Sequence, residues 1–366
     1  MKNKDLYIQQ QLTNELISPQ VITSWMSLIN STIARGVKAK SEVMFPSMTD
    51  GLVLTTEQTQ KNVNFVTGDR IMQVNAIPEA GEDGSVESFL VVSHDITEMR
   101  KASDELEASK KKVTDSINYA KRIQDAIMPD TGLLRSFFKD SFIMFKPKDV
   151  VSGDFPWMIQ RDNTLYIACV DCTGHGVPGA LMSLVGYFLL NNILDTQLNP
   201  NPGVILDYLD EYVTKTLRQD TGEGSAKDGM DVGFCKINLD TKELEFAGAH
   251  RPLYFVNGET NELEEYKGDK FPIGGGQYRN RTKFTNTVIK FRENDTMYMF
   301  SDGLPDQFGG DDNRKFSPKR IRDIVKMDAS VPIEKIEENL DKQLSDWMKD
   351  GEIKQTDDIL MIAIRF

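Results

Sequence analysis

Apolar and polar positions along this chain follow three successive patterns. Between residues 62 and 96, the segments Asn-Val-Asn-Phe-Val, Arg-Ile-Met-Gln-Val-Asn-Ala-Ile and Val-Glu-Ser-Phe-Leu-Val-Val-Ser-His-Asp-Ile-Thr alternate around a Glu-Asp-Gly turn. That period of two predicts an antiparallel meander. From 99 to 127 the period becomes seven: Met99, Leu106, Val113, Ala120 and Ile127 recur, with Ala102, Ile117 and Ile123 at flanking positions. No Gly or Pro intervenes before Pro129, so the stretch predicts ~30 helical residues spanning ~45 Å. The seven-residue spacing and charged flanks favour a parallel two-chain coiled coil over a helix packed on its own domain. Beyond Pro129, short runs rich in Ile, Val, Met, Phe and Tyr, such as Leu165 to Val170, predict strands.

Four aspartates are set in short loops beside these runs. They lie in Val-Val-Ser-Gly-Asp-Phe (Asp154), Ile-Ala-Cys-Val-Asp-Cys-Thr-Gly-His-Gly (Asp171), Met-Phe-Ser-Asp-Gly (Asp302) and Gln-Thr-Asp-Asp-Ile-Leu-Met-Ile (Asp357, followed by Asp358). A single Asp-Gly is ordinarily only a turn. Carboxylates at several strand ends can converge from distant parts of a sequence, and hard cations such as Mg2+ and Mn2+ take oxygen ligands. Together they read as a metal site. Zinc has little to build from, since the chain holds only His94, His175 and His250 and no closely spaced histidine pair. Cys169 and Cys172 form a Cys-x-x-Cys, but Cys235 is the only other cysteine, and Cys169 inside an apolar run reads as a buried strand residue.

The order of these motifs, with Asp-Gly-Met-Asp and Ala-Gly-Ala-His-Arg-Pro-Leu-Tyr between the second and third, resembles the metal-dependent type 2C serine phosphatases. The nearest branch is the bacterial one typified by the stage II sporulation phosphatase and the regulators of sigma-factor partner switching. The resemblance covers residues 129–366. It implies an α-β-β-α sandwich with the metal site at one edge of two central sheets and with Asp171 bridging two Mn2+ or Mg2+ ions. By their place in the motifs, Asp154, Asp302 and Asp357 match further metal-binding carboxylates, and Cys172 matches a residue that offers its backbone carbonyl. A water shared by two such ions is the nucleophile for a phosphoester, so the expected catalytic set is Asp171, Asp154 and, as proton donor, His175. His175 could equally be structural. Asp231 could help hold a third metal or simply open a strand, and His250 and Arg251 read as a turn, with Arg251 a possible phosphate contact. Asp358 and Asp306 read as supporting or surface groups. Pro156 departs from the family pattern just after Asp154, a substitution that an edge strand or a bulge would tolerate.

Residues 1–97 resemble PAS sensory domains at their closing strand, His94-Asp95-Ile96-Thr97-Glu98, which runs into a charged helix. No cysteine lies in this part, and the sensed ligand is not assignable. Residues 98–128 are the expected coiled-coil signalling helix, and Ser116 to Pro129 resembles the regulatory helix that precedes such phosphatase domains in bacterial signalling proteins. The expected fold class is thus α+β, with a PAS-like domain, a linker helix and a sandwich domain.

Charge and length refine this picture. A net charge of −13 argues against nucleic-acid binding. The longest apolar stretch, Leu181 to Leu190, is shorter than the ~20 residues a bilayer requires, so no membrane association is expected. Three cysteines without a disulfide pattern fit a reducing cytoplasm. The expectation is a cytoplasmic, homodimeric, sensor-controlled phosphatase acting on a phosphorylated protein, and the branch it resembles points to a STAS-domain anti-sigma antagonist. The rival reading is a phosphatase-like protein that binds its phosphorylated partner without turnover. A hydrolase of small phosphoesters lacks a Gly-x-x-x-x-Gly-Lys-Ser loop.

Overall fold

The structure is a computed structural model. It describes residues 39–42, 65–67, 70–80, 86–129, 131–220, 227–275, 283–326, 331–349 and 352–366. The chain divides into two compact units, residues 1–114 and 115–366.

In the first unit the alternating segments form an antiparallel sheet. β1 (Ala39–Glu42), β2 (Phe65–Thr67), β3 (Arg70–Ala80) and β4 (Val86–Asp95) are arranged with β3 central. β4 pairs along most of β3, from Met72 opposite Asp95 to Ala80 opposite Val86, with a register shift at Glu79/Ala80. β1 and β2 share the other edge of β3. The Glu-Asp-Gly turn at 82–84 and, within the span of the PAS-like reading, residues 1–38 and 43–64 lie outside the described residues. β4 passes directly into α1 (Thr97–Ile127). The Asp95 carboxylate accepts the backbone N–H of Thr97 at 3.1 Å and its hydroxyl at 2.5 Å, a short polar turn that starts the helix. Met99, Leu106 and Val113 on α1 are 64%, 71% and 57% exposed, so among the described residues this part of the seven-residue seam is uncovered.

The second unit is layered. After α2 (Thr131–Phe137) come β5 (Ser141–Lys146), β6 (Phe155–Arg161), β7 (Thr164–Cys172), α3 (Gly176–Thr196), α4 (Pro202–Thr216), β8 (Gly229–Asn238), β9 (Glu243–Ala249), β10 (Leu253–Val256), β11 (Leu263–Tyr266), β12 (Ile273–Gly274), β13 (Thr287–Lys290) and β14 (Thr296–Phe300). The one-turn helix α5 (Gly303–Asp306), a small hairpin β15 (Phe308–Gly309) and β16 (Arg314–Lys315), α6 (Ser317–Val325), α7 (Ile333–Trp347) and β17 (Ile359–Arg365) complete it. One sheet has the order β13-β9-β8-β7-β6 with β12 on β8, and the other has the order β11-β10-β14-β17-β5.

Side-chain alternation builds the layers. On β7, Leu165, Ile167 and Cys169 point into a core shared with Leu360, Ile362 and Ile364 of β17 and Met297 and Met299 of β14. Tyr166, Ala168 and Val170 point the other way, against Leu190, Ile193 and Leu194 of α3 and Leu206 and Leu209 of α4. Ile359, Met361 and Ala363 of β17 face Ile321 of α6 and Leu340 and Leu344 of α7. Each central strand is therefore buried on both faces, which is why its sequence reads as a continuous apolar run. α3 is long and apolar enough by composition to cross a membrane, yet it is packed here as an outer layer on the sheet. Cys169 and Cys172 belong to cores on opposite sides of their sheet, as a three-residue step on a strand requires, and all three cysteines are free and buried. Pro156 lies in unbroken register opposite Cys169 on β6, the edge strand of its sheet.

The last turn of α1 is locked to this unit by Gln124. Its amide donates to the Ser152 carbonyl at 2.7 Å and the Ser183 hydroxyl at 2.9 Å, and its oxygen accepts the Ser152 N–H at 3.0 Å. All of these groups are buried. Gln124→Ala should destabilise the second unit by roughly 2 kcal/mol or more, because it leaves the backbone groups of Ser152 without their partners. A lowered denaturant midpoint at unchanged slope is the expected result.

Candidate active site

Strand ends from both sheets supply the site. Asp171 is the penultimate residue of β7 and lies in register opposite Asp231 near the start of β8. Asp302 follows β14 and begins α5, and its backbone N–H donates to Asp171 Oδ2 at 3.2 Å. Asp357 and Asp358 precede β17, and Asp154 immediately precedes β6. Glycine makes these approaches possible. A Cβ at Gly303 would lie 1.9 Å from the Asp358 carbonyl oxygen, and one at Gly153 would lie 2.5 Å from the Gly174 carbonyl oxygen. The Asp-Gly of Asp302-Gly303 is thus a packing requirement that brings β14 and β17 together.

The aspartates divide by partner. Asp358 accepts the N–H of Lys148 with one oxygen at 2.7 Å and that of Gly153 with the other at 2.8 Å, so it secures the loop leading to Asp154. Asp306 pairs with Lys315 near the surface. Asp154 is buried, and its Oδ2 has no hydrogen-bond partner. Burial, and then the neighbouring charge of Asp171, push the Asp154 carboxyl well above the usual carboxylate range, against a lowering hydrogen bond from Ser301. Burial followed by the charge of Asp302 pushes Asp171 up to about 7, with Arg251 opposing. Asp357 is raised by burial, opposed by the Asp358 N–H that its Oδ1 accepts at 2.9 Å. Cys172 ends β7 with its side chain in the core under α3.

Arg251 stands among these carboxylates. Its Nη2 lies 2.5 Å from Asp231 Oδ2, 2.9 Å from Asp302 Oδ2 and 3.6 Å from Asp171 Oδ2. Burial alone would lower its pKa, but Asp171, Asp231 and Asp302 together outweigh burial and push it up. His250 occupies a left-handed turn at φ 57° and places Nδ1 3.0 Å from Asp231 Oδ1. His175 precedes α3, and its Nδ1 lies 2.8 Å from Asp149 Oδ2, in the loop that also leads to Asp154.

The structure therefore brings Asp171 and Asp302 into contact, and Asp154 and Asp357 feel their charges. It gives His175 a carboxylate partner. Two functional neighbours were not foreseen, namely Arg251 as the cation inside the acidic group and Asp149 beside His175. The register of the β8–β9 hairpin contained a signal for the first. Val232 pairs with Ala249, so the next position outward sets Asp231 beside His250 and Arg251.

No three His, Cys, Asp or Glu side chains among the described residues are spaced to hold a metal ion as they stand. The donor chemistry nonetheless fits a hard divalent ion: the groups are oxygen donors, they repel one another, and one buried carboxylate oxygen lacks a partner.

The fold and this acidic edge define a mixed α/β phosphatase of the PP2C type. The chain belongs to the family described as Stage II sporulation protein E (SpoIIE), whose model matches residues 161–366. The solved SiaA-PP2C domain of Pseudomonas aeruginosa is 32% identical with a TM-score of 0.63, and the match covers 71% of this chain and 99% of that one. Phosphoserine phosphatase RsbU of Bacillus subtilis (strain 168) is 23% identical over 160 residues, 43% of this chain and 44% of RsbU. The chain thus matches less than half the length of that curated relative.

The raised carboxyl groups set a pH dependence. Their folded-state pKa values lie above the ordinary 3.8, so their contribution to stability is complete below that value and is lost as pH rises through about 7. In EDTA, the Tm should fall by several degrees between pH 5 and pH 8, and Asp171→Asn should flatten that fall. A wild-type Tm that is level or rising across this range would refute the reading of the cluster.

Proposed function

We propose that this chain is a signal-regulated, metal-dependent protein serine/threonine phosphatase that hydrolyses phosphoserine on a partner protein. Its family and the phosphoserine phosphatase relative support that class. The observation that carries the reading is the convergence of mutually repelling aspartates from strand ends of both sheets, with the buried Asp154 leaving its Oδ2 unpartnered.

In this reading Asp154, Asp171, Asp302 and Asp357, with the Cys172 carbonyl, are the groups that would hold two Mn2+ or Mg2+ ions. Such ions, when bound, lower the pKa of a shared water and supply hydroxide near neutral pH. The chain's own residues do the rest. Asp358 holds the loop of Asp154 in place through the Lys148 and Gly153 N–H groups. Asp149 orients the His175 ring, whose proton goes to the departing serine oxygen as the phosphorus–oxygen bond breaks. Water supplies the new oxygen, and the products are serine and inorganic phosphate.

The partner in this reading is a STAS-domain protein, and the active form is a cytoplasmic homodimer joined through α1 and the PAS-like first unit. The exposed Met99, Leu106 and Val113 supply a seam for that dimer. Gln124 supplies the route of regulation, because it joins α1 to Ser152, two residues before Asp154, and to Ser183 of α3. The rival reading is a binding protein without turnover, for which a distortion at Pro156 would be an argument; the unbroken pairing of β6 at that residue supports the catalytic reading instead.

Phosphate release from a phosphoserine peptide and from an aryl phosphate tests the proposal. Turnover should require Mn2+ or Mg2+, vanish in EDTA, and drop at least about a thousandfold in Asp171→Asn. A folded wild-type chain that binds Mn2+ but releases no phosphate would return the decision to the rival. In a separate measurement, Mn2+ should raise the Tm more at pH 8 than at pH 6, because protons compete with metal for the raised carboxyl groups. An equal or reversed increment would count against these carboxylates as the ligands.

A further inference from the structure

We propose that Arg251 is the resident cation of the Asp231–Asp302 corner: it holds that corner against a divalent ion, and Asp231 anchors the guanidinium instead of ligating an additional metal. This inference rests on the metal-site reading above and deepens it.

The aim of Arg251 is built into the backbone. Its N–H donates to the Ala249 carbonyl at 2.7 Å across the left-handed His250, while the His250 N–H donates to the Asp269 carbonyl at 2.9 Å and the Asp269 N–H to the Gly248 carbonyl at 2.8 Å. The turn is packed so closely that a Cβ at Gly248 would lie 2.2 Å from the Arg251 carbonyl oxygen and 2.9 Å from Gly268 Cα. A positive φ at a non-glycine residue persists only where the surroundings over-determine it, and here they do.

Asp231 is already committed. Its Oδ1 meets His250 Nδ1 and its Oδ2 meets Arg251 Nη2. Nη2 bonds both Asp231 Oδ2 and Asp302 Oδ2 and stops 3.6 Å short of Asp171 Oδ2, so one nitrogen fills the corner between Asp231 and Asp302 while the second oxygen of Asp302 and the carboxylate of Asp171 remain for metal. A guanidinium keeps its charge at every pH at which the protein is folded, whereas a bound metal depends on supply. A divalent ion at the same corner would have to displace Nη2 or sit beside it, and like charges at that range repel strongly. Asp154 Oδ2 and Asp357 make no contact with Arg251, which leaves their side of the cluster open to metal.

Calorimetric titration of Mn2+ into the full chain tests the proposal, with Tm in EDTA as a check on folding. Arg251→Gln should bind one more equivalent of Mn2+ than the wild type, or bind the weakest equivalent at least about tenfold more tightly. Its Tm in EDTA should fall and recover on adding Mn2+. Arg251→Lys, which keeps the charge, should retain the wild-type count. Asp231→Asn alone should leave the count unchanged, and added to Arg251→Gln it should remove the gain. A folded Arg251→Gln whose isotherm superimposes on the wild type overturns the proposal, as does loss of an Mn2+ equivalent in Asp231→Asn alone. Absence of Mn2+ binding in both wild type and Arg251→Gln sinks the metal-site reading itself, and the proposal with it.

Discussion

Like-charge repulsion at one edge of the sandwich is the constraint on which the second unit depends. Two carboxylates about 4 Å apart repel by ~4 kcal/mol at an effective dielectric of 20, and burial makes the charged forms costlier still. The chain answers with protons, with an arginine, or with metal. Burial and the charge of Asp302 push Asp171 up to about 7 with Arg251 only 3.6 Å away, so the arginine offsets part of the repulsion and not all of it.

Holding such groups together demands a rigid frame, and a four-layer sandwich supplies it. β7 and β8 come from one sheet and β14 and β17 from the other, and only the face-to-face packing of the two brings their ends to one edge. The contacts that fix those ends are close and specific. Gly303 lets β14 meet the Asp358 carbonyl, and both oxygens of Asp358 are spent on the N–H groups of Lys148 and Gly153. Asp358 is thus a structural carboxylate adjacent in sequence to a candidate ligand, and the partners of its two oxygens separate the roles. Asp357 forms no ion pair among the described residues, with only the more distant charge of Lys148 acting on it, whereas Asp358 is saturated by backbone donors.

This separation shows what the sequence could and could not reveal. The strand runs around Asp171, Asp302 and Asp357 were legible because strands buried on both faces must be apolar throughout, and β7 and β17 are. Cys169 and Cys172 were legible as unable to act together, since three steps along a strand reach opposite faces. The layered architecture followed from the order of the motifs, not from periodicity, which finds strands without pairing them. Arg251 was legible as a turn residue and possible phosphate contact, but its place among the carboxylates was not, for a related reason. It lies 80 positions after Asp171 in an unremarkable hairpin turn, and only the register Val232–Ala249 sets it beside Asp231. Asp149 escaped because the loop that folds it onto His175 has no period at all. In the first unit, alternation between 62 and 96 did correspond to antiparallel pairing of β2, β3 and β4, within the part described.

The seven-residue seam and the acidic edge are usually separate topics, but Gln124 joins them. A helix whose exposed apolar positions await a partner gains burial energy by pairing, roughly 25 cal/mol for each Å² of apolar surface covered. That energy can reach the acidic edge only through contacts that do not slip. Gln124 offers three hydrogen bonds to a loop and a helix that lead to Asp154 and to His175 respectively, all of them buried and therefore costly to break. In the regulated reading, a shift of α1 that preserves these bonds must carry Ser152 with it, and Asp154 follows two residues later. A shift that breaks them leaves buried polar groups unsatisfied and opposes itself. In that reading the helix and the first acidic loop move together, and Gln124 is a residue through which a signal carried by α1 would reach the site.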